Sequence, residues 1–291
     1  MKQVIQNILD NYNTFSKGQK KIADYVVNRF DKAAFMTAAK LGEKVGVSES
    51  TVVRFASELG FSKYSKFQTA LQEIVRTKLT SVQRIEVAND RIGDTEKEIV
   101  TNVLNRDIQM IKSTLDLIDR DEFASAVDAI VNANKIYILG VRSSSSLANF
   151  LAFNFNLVFD NVVFANSASG SEIFESIFRI QPDDVCIGIS FPRYSARIIK
   201  ALNYVNKRGA KIVAITDNNA SPVSQLAQYK LLACSDMVSF VDSLVAPLSV
   251  INALIAACTF KKKDSVMSNF EQFEAIWKDS QTYQENTNSE Q

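Results

Sequence analysis

The stretch "KIYILGVRSSSSLANFL", residues 135–151, decides the fold of the larger part of this chain. A run of strand-forming residues ends at Gly140. A row of four serines follows, and then an apolar-rich segment of helical character. Reading outward, the same alternation recurs. Candidate strands lie at "KIYILG" (135–140), "NVVFA" (161–165), "VCIGIS" (185–190), "KIVAIT" (211–216) and "YKLLAC" (229–234). Helical stretches separate them at 144–159, 171–179, 196–208 and 243–260. Strands apolar on both faces, joined by crossovers of that length, predict a parallel sheet covered on both sides. In such a doubly wound α/β domain, ligands bind beyond the carboxyl ends of the strands, at loops that open helices.

Two of these loops combine hydroxyls with arginines. The first, "GVRSSSS", offers Arg142, Ser143, Ser144, Ser145 and Ser146. The second, "SFPRYSAR" (190–197), offers Ser190, Arg193, Ser195 and Arg197. Hydroxyls and free backbone amides at a helix N-terminus favour a negative group. The pair therefore reads as a cradle for phosphate or a similar anion. Serine is also a good N-cap residue, so for either loop alone plain helix capping stays open. The glycine pattern is not a dinucleotide fingerprint, because "GVRSSS" lacks the second and third glycines, and no GK[ST] of a phosphate-binding P-loop occurs.

The first eighty residues lack β-rich runs. One helix is expected over 18–30, with Ile22, Tyr25, Val26 and Phe30 at helical spacing, and a shorter one near 37–45. Gly46 is placed to end that helix in a sharp turn. Ser48 then stands at an N-cap position, able to accept from the amides of Ser50 or Thr51. Val52, Phe55 and Leu59 share one face, suited to pack on Leu41 and Val45. Two short helices joined in this way make a helix-turn-helix. The opposite face carries Ser48, Glu49, Ser50, Thr51, Val53 and Arg54: short side chains at the leading end and one long donor, as a helix entering the major groove requires. Lys63, Tyr64 and Lys66 follow, placed for flanking phosphates. Charge agrees. Residues 1–80 hold 13 Lys+Arg against 7 Asp+Glu, whereas 81–291 hold 20 against 25, so a basic unit precedes an acidic one.

Between them, residues 81–122 read as a helical connection, with Ile99, Val103, Ile108, Ile111, Leu115 and Ile118 forming a rough stripe. Such a helix serves as a rigid link, a dimer contact or both. The expected organisation is two domains: an all-α helix-turn-helix bundle (1–80), then, past the connection, a doubly wound α/β domain with a parallel five-stranded sheet (123–275) and a polar tail (276–291).

Composition narrows the function. The 291 residues are 46% hydrophobic with only 9 Gly and 4 Pro, a globular composition. No run approaches the ~18–20 apolar residues of a membrane span, and "MKQVIQNILDNYNTF" is too interrupted for a signal peptide, so a cytoplasmic protein without membrane contact is expected. Cys186, Cys234 and Cys258 are far apart in apolar contexts and read as small buried hydrophobes, not as ligands of a metal. Histidine is absent, which removes the usual general base and the Ser-His and Cys-His nucleophile pairs. An isomerase would have to use Glu172 or Glu175 in "SGSEIFES". No cofactor, no catalytic residue and no metal site is expected.

The chain resembles the RpiR family of bacterial transcription regulators, which join a helix-turn-helix domain to a sugar isomerase (SIS) domain. The resemblance rests on "KIADYVV", "VGVSESTVVRFASELGFSKYSKF", "IYILGVRSSSSLA", "GISFPRYS" and "IVAITDNNASPVSQLA", and it covers nearly all of residues 1–275. It implies a homodimer or homotetramer that binds double-stranded operator DNA and senses a phosphosugar-like effector. Carried over, the DNA-reading helix falls on Ser48 through Ser57, the first phosphosugar loop on Ser143 and Ser144, and the second on Ser190 and Ser195. The chain departs from the family where Arg142 stands in place of a common Gly. It departs again where "SFPRYS" replaces S-x-S-G-x-T, so that Pro192 takes the place of a hydroxyl and Arg193 that of a glycine. An arginine there can supply bidentate charge to phosphate, fill the pocket, or pair with an acid such as Glu172.

Overall fold

A computed structural model describes residues 3–78, 80–165, 170–237 and 239–279. The chain divides into two compact units, Met1–Leu104 with Asp236–Asp242, and Asn105–Ser235 with Ser243–Gln291.

In the first unit, α1 (Gln3–Asp10) and a short 3-10 turn precede α2 (Lys17–Asn28). Ser16 starts α2 through a reciprocal capping box with Gln19. The helix expected over 18–30 therefore begins one residue earlier and stops at Asn28; the four-residue α3 (Phe30–Ala33) takes over. Then come α4 (Ala38–Val45), α5 (Glu49–Glu58), α6 (Tyr64–Lys78) and α7 (Ser81–Ile92). Ile22, Val26, Leu41, Val52, Phe55, Leu59, Phe67 and Leu71 form one buried core, with Val45 packed at its edge.

The second unit contains the sheet. Strands β1 (Ile136–Gly140), β2 (Val162–Ala165), β3 (Val185–Ile189), β4 (Lys211–Thr216) and β5 (Tyr229–Leu232) are all parallel, in the order β2-β1-β3-β4-β5. Every residue of β1 and β3 is buried, which is why these strands read as unbroken apolar runs rather than alternating ones. The helices expected between strands are α10 (Ser144–Val158), α11 (Gly170–Ile177), α12 (Ala196–Lys207) and α13 (Val245–Lys261). One core gathers Leu151, Phe155, Ile187, Ile251 and Leu254, and a second gathers Ile173, Ile177, Cys186, Ile198 and Leu202.

The structure departs from the sequence reading in four places. The connecting segment is two helices, α7 and α8 (Glu96–Leu117), broken at Gly93. The expected stripe does not act as one face: Val103 and Ile118 are half-buried, Met110 and Thr114 are the buried residues, and Ile108, Ile111 and Leu115 are exposed. An unforeseen α9 (Arg120–Val131) precedes β1, capped by Asp119. A further helix, α14 (Lys263–Asp279), takes in the first residues of the expected polar tail, whose remainder lies outside the described residues. Cys186 and Cys258 are buried as expected, but Cys234 is only half-buried. Burial pushes the Cys258 thiol up to about 12, so it is un-ionised near neutrality. Among the described residues no single helix is long and apolar enough to cross a membrane.

The sequence also gave no sign that Asp236–Asp242, which follow β5, belong to the first unit. Met237 is buried in that unit's core. Arg84 of α7, 1% exposed, donates to the Phe240 carbonyl at 3.2 Å and grips both oxygens of Asp242, at 3.1 and 3.0 Å. Removing Asp242 takes two close contacts from a buried guanidinium. Asp242→Ala therefore lowers the stability of the first unit by about 3 kcal/mol, read from urea unfolding; a loss below about 0.5 kcal/mol removes this ion pair from the list of stabilising contacts.

Candidate nucleic-acid interface and anion site

In the first unit the turn between α4 and α5 is built from glycines. Gly46 takes the left-handed conformation (φ 72°), which ends α4 without strain. Gly42 permits the helices to meet: a Cβ there would lie 2.7 Å from the Val47 carbonyl oxygen. Ser48 caps α5, its Oγ accepting from the Thr51 amide at 3.3 Å. That hydroxyl also lies 2.9 Å from Ser50 Oγ and 2.8 Å from Thr51 Oγ1. The cap thus forms a small hydroxyl cluster at the positive end of the helix.

The face opposite the core is open. Ser48, Glu49, Ser50, Val53 and Arg54 are exposed, and Thr51 is half-buried. Lys63 and Lys66 are exposed as well. Tyr64 is not available in the same way. Its hydroxyl donates to the Met36 carbonyl at 2.9 Å, its ring packs on Phe67, and burial pushes its pKa up to about 12. It packs at the start of α6 with its hydroxyl already engaged, whereas Lys63 and Lys66 stand free of the core. Lys21 was missed by the sequence reading. Its Nζ lies 4.0 Å from where a Gly46 Cβ would stand, so it adds a cation beside the turn.

In the second unit, β1 and β3 are neighbours, with Gly140 opposite Ile189. In a sheet of order 2-1-3-4-5 this is where the strand order reverses, and where a crevice opens at the carboxyl ends. The two serine-rich loops directly follow the carboxyl ends of these two strands. Gly140 brings the first loop in: a Cβ there would lie 2.6 Å from the Ser144 carbonyl oxygen and 2.7 Å from Ala148 Cβ. Helix α10 therefore starts directly on the end of β1.

The two loops use their serines differently. Ser143 occupies the N-cap position of α10 but makes no side-chain cap, and the hydroxyls of Ser143 and Ser144 bond to none of the described residues. Ser145 donates instead to the Arg142 carbonyl at 2.7 Å. In the second loop Ser190 does cap: its buried Oγ accepts from the Ser195 amide at 3.3 Å, at the start of α12. Ser195 makes no side-chain cap.

Arg142 (φ 57°) and Arg193 (φ 67°) are the non-glycine residues with positive φ among those described. They stand where the family resemblance leads one to expect glycine. The backbone thus keeps the glycine conformation while exposed guanidinium groups are added on both sides of the crevice. Conformations of this kind cost of order 1 kcal/mol each.

A third element of the site was invisible in sequence. Asp217, buried just past β4, accepts from Tyr194 Oη at 2.8 Å, Asn218 Nδ2 at 2.8 Å and Thr216 Oγ1 at 3.2 Å. This network ties the second loop to the end of the next strand. Glu172 and Glu175 are both exposed on α11. Among the described residues no cluster of three or more His, Cys, Asp or Glu could hold a metal ion.

The model of the helix-turn-helix domain of the rpiR family matches residues 2–78, and that of the SIS domain matches residues 129–257. An uncharacterised HTH-type transcriptional regulator of Clostridium perfringens is 26% identical over 74% of this chain and 76% of its own length. One of Caldanaerobacter subterraneus is 22% identical over 93% and 95%. Among solved structures, the sugar isomerase domain of an RpiR transcription factor from Sphaerobacter thermophilus superposes with a TM-score of 0.59, at 24% identity over 61% of this chain and 99% of that domain. The Vibrio vulnificus NanR protein, solved in complex with ManNAc-6P, has a TM-score of 0.58 at 22% identity, covering 94% of this chain and 97% of that one.

Gly140→Ala forces α10 off the end of β1, because the new methyl meets helix backbone. The substitution destabilises the second unit by about 1–3 kcal/mol. Chemical denaturation followed by tryptophan fluorescence (Trp277) or circular dichroism reads the change, and an unaltered midpoint contradicts the close approach.

Proposed function

The chain belongs to the rpiR helix-turn-helix family and carries a SIS domain, and we propose that it is a cytoplasmic transcription regulator that binds operator DNA and responds to a phosphorylated sugar. The observation that carries the effector half is the pair of loops at the β1/β3 switch point, with arginines on both and, on one, hydroxyls that bond to none of the described residues. The likeness of fold to a regulator solved with ManNAc-6P supports the same class of ligand.

Each group has a role that its chemistry allows. Ser143, Ser144 and the free amides of the first turn of α10 receive the phosphate, helped by the helix dipole. Arg142 and Arg193 supply charge from either side. Ser190 and Ser195 fix the start of α12, so the second loop keeps its shape. On the first unit, Ser48, Glu49, Ser50, Thr51 and Arg54 face base edges, while Lys63 and Lys66 face phosphates, with Tyr64 anchoring the helix between them. The chain acts as a homodimer or homotetramer without a cofactor. Effector binding shifts the assembly between arrangements whose recognition helices match or miss successive major grooves, ~34 Å apart. The ligand can do this only to the extent that it binds the two arrangements with different affinity.

The same loops hold a sugar phosphate without transforming it. Isomerisation requires a base held against the substrate; without histidine the candidates are Glu172 and Glu175, and both are exposed on α11.

Arg54→Ala weakens operator binding by about 1–3 kcal/mol and relaxes preference at one base pair if Arg54 reads a base; unchanged affinity and preference in a gel-shift titration take Arg54 out of the reading set. A thermal-shift screen of sugar phosphates tests the effector. A ligand at 100 times its dissociation constant adds about 2.7 kcal/mol, and Ser143→Ala with Ser144→Ala abolishes the shift while DNA binding stays intact. A full shift in the double variant places the anion elsewhere.

A further inference from the structure

Helix α8 carries an apolar seam that its own chain leaves uncovered. Leu104 (57% exposed), Ile108 (47%), Ile111 (40%) and Leu115 (62%) follow one another at steps of four, three and four. These are the d, a, d and a positions of a heptad, which stack into a single stripe on one side of a helix. An adjacent side of α8, about 100° round the helix, is the one its own chain covers: Met110 and Thr114 are buried, and Thr114 Oγ1 accepts from the Cys234 amide at 2.8 Å. The stripe is thus not the core-facing side of an ordinary amphipathic helix. It is a second apolar face, and contiguous exposed apolar surface marks an interaction site.

The flanking charges identify the occupant. Asp107 stands at the g position before Ile108, and Lys112 at the e position after Ile111, five residues apart. In a parallel pair of such helices, g of one strand faces the following e of the other. Asp107 of one copy then meets Lys112 of the next, and the two-fold axis repeats the pair on the other side. Asp107 is already oriented from behind, its Oδ1 accepting from Ser243 Oγ at 2.7 Å, which leaves Oδ2 for an incoming cation. Lys112 is exposed. The seam is therefore self-complementary in both shape and charge.

We propose that α8 pairs in parallel with α8 of a second copy of this chain along Leu104, Ile108, Ile111 and Leu115, flanked by reciprocal Asp107–Lys112 pairs. This deepens the reading of the protein as a homodimer by naming the surface. A standard interface covers about 800 Å² on each partner, more than four side chains provide, so the seam is the centre of a larger contact. Two heptads are too few to hold a free coiled coil together, and the pairing depends on the rest of the chain holding each α8 in place.

Cysteine cross-linking of the full-length protein tests both the surface and its direction. In parallel register Leu104→Cys and Leu115→Cys each form a disulfide with their own copy under mild oxidation. Both then run as covalent dimers on non-reducing gels, while the wild-type protein does not. In the antiparallel order the two positions lie opposite each other, and only a mixture of the two variants cross-links; that outcome overturns the proposal. Light scattering supplies the second readout. Ile111→Asp and Lys112→Glu each weaken the dimer at least tenfold with unchanged circular dichroism. A dimer that withstands both variants puts the interface elsewhere and leaves the functional reading standing. A wild-type protein that is monomeric at every concentration ends the homodimer reading itself. Binding of the wild-type protein to lipid vesicles, lost in Ile111→Asp while the dimer persists, assigns the stripe to a membrane surface and also overturns the proposal.

Discussion

The missing side chain at Gly140 governs the geometry of the candidate anion site. A strand that must end beneath a helix N-terminus needs its last residue to be thin, and the distances of 2.6 and 2.7 Å from a Gly140 Cβ to α10 leave no room for even a methyl group. Because α10 sits down on β1 there, Ser143 and Ser144 are carried to the switch point instead of being held above it. The parallel sheet does the rest. All five strands end on one edge, so the first loop, the second loop and the Asp217 network gather at that edge without further contrivance. Chain direction and one absent Cβ account for most of the site.

The legible parts of the fold are those whose cause is local. Apolar runs gave the strands, since a strand buried on both faces has no polar alternation to hide it. Gly46 and Ser48 marked the turn because a left-handed cap and a hydroxyl acceptor are each chosen within a few residues of the chain. What escaped has long-range causes. Arg84 meets Asp242 across 158 residues, and nothing near either residue announces the other. Asp217 takes its meaning from Tyr194, on another loop. Tyr64 lies between Lys63 and Lys66 in a stretch placed for flanking phosphates. Whether a tyrosine turns inward is settled by a carbonyl at Met36, which sequence spacing does not reveal. In α8 the apolar residues were visible, but one period cannot tell a face covered by the chain's own core from a face left open.

The serine-rich loops show how one residue type takes two roles. Ser190 behaves as a capping residue should, and its hydroxyl is already engaged. Ser143 sits at a cap position without capping, and the hydroxyl of buried Ser144 bonds to none of the described residues. Hydroxyls left to a positive helix end in this way suit an anion, whereas an engaged one suits a rigid scaffold. The two arginines fit the same logic. Positive φ is costly for any residue with a Cβ, and the least demanding way to keep such a turn is glycine. Retaining the turn while adding a guanidinium on each side exchanges backbone ease for charge.

Connectivity supplies the remaining step toward regulation. If the chain passed from one unit to the other once, a ligand in the second could change little in the first beyond the tether. Here the backbone passes between them three times, after Leu104, after Ser235 and after Asp242. The two later passages bracket a seven-residue segment that leaves the sheet after β5, the edge strand, and returns into α13. Its far end is held by Met237 in the core of the first unit and by the grip of Arg84 on Asp242. Ser243, the next residue, bonds to Asp107 on α8. One short stretch of backbone is thus fastened on both sides of a unit boundary and, by way of Asp107, to the helix whose open seam is the proposed dimer contact.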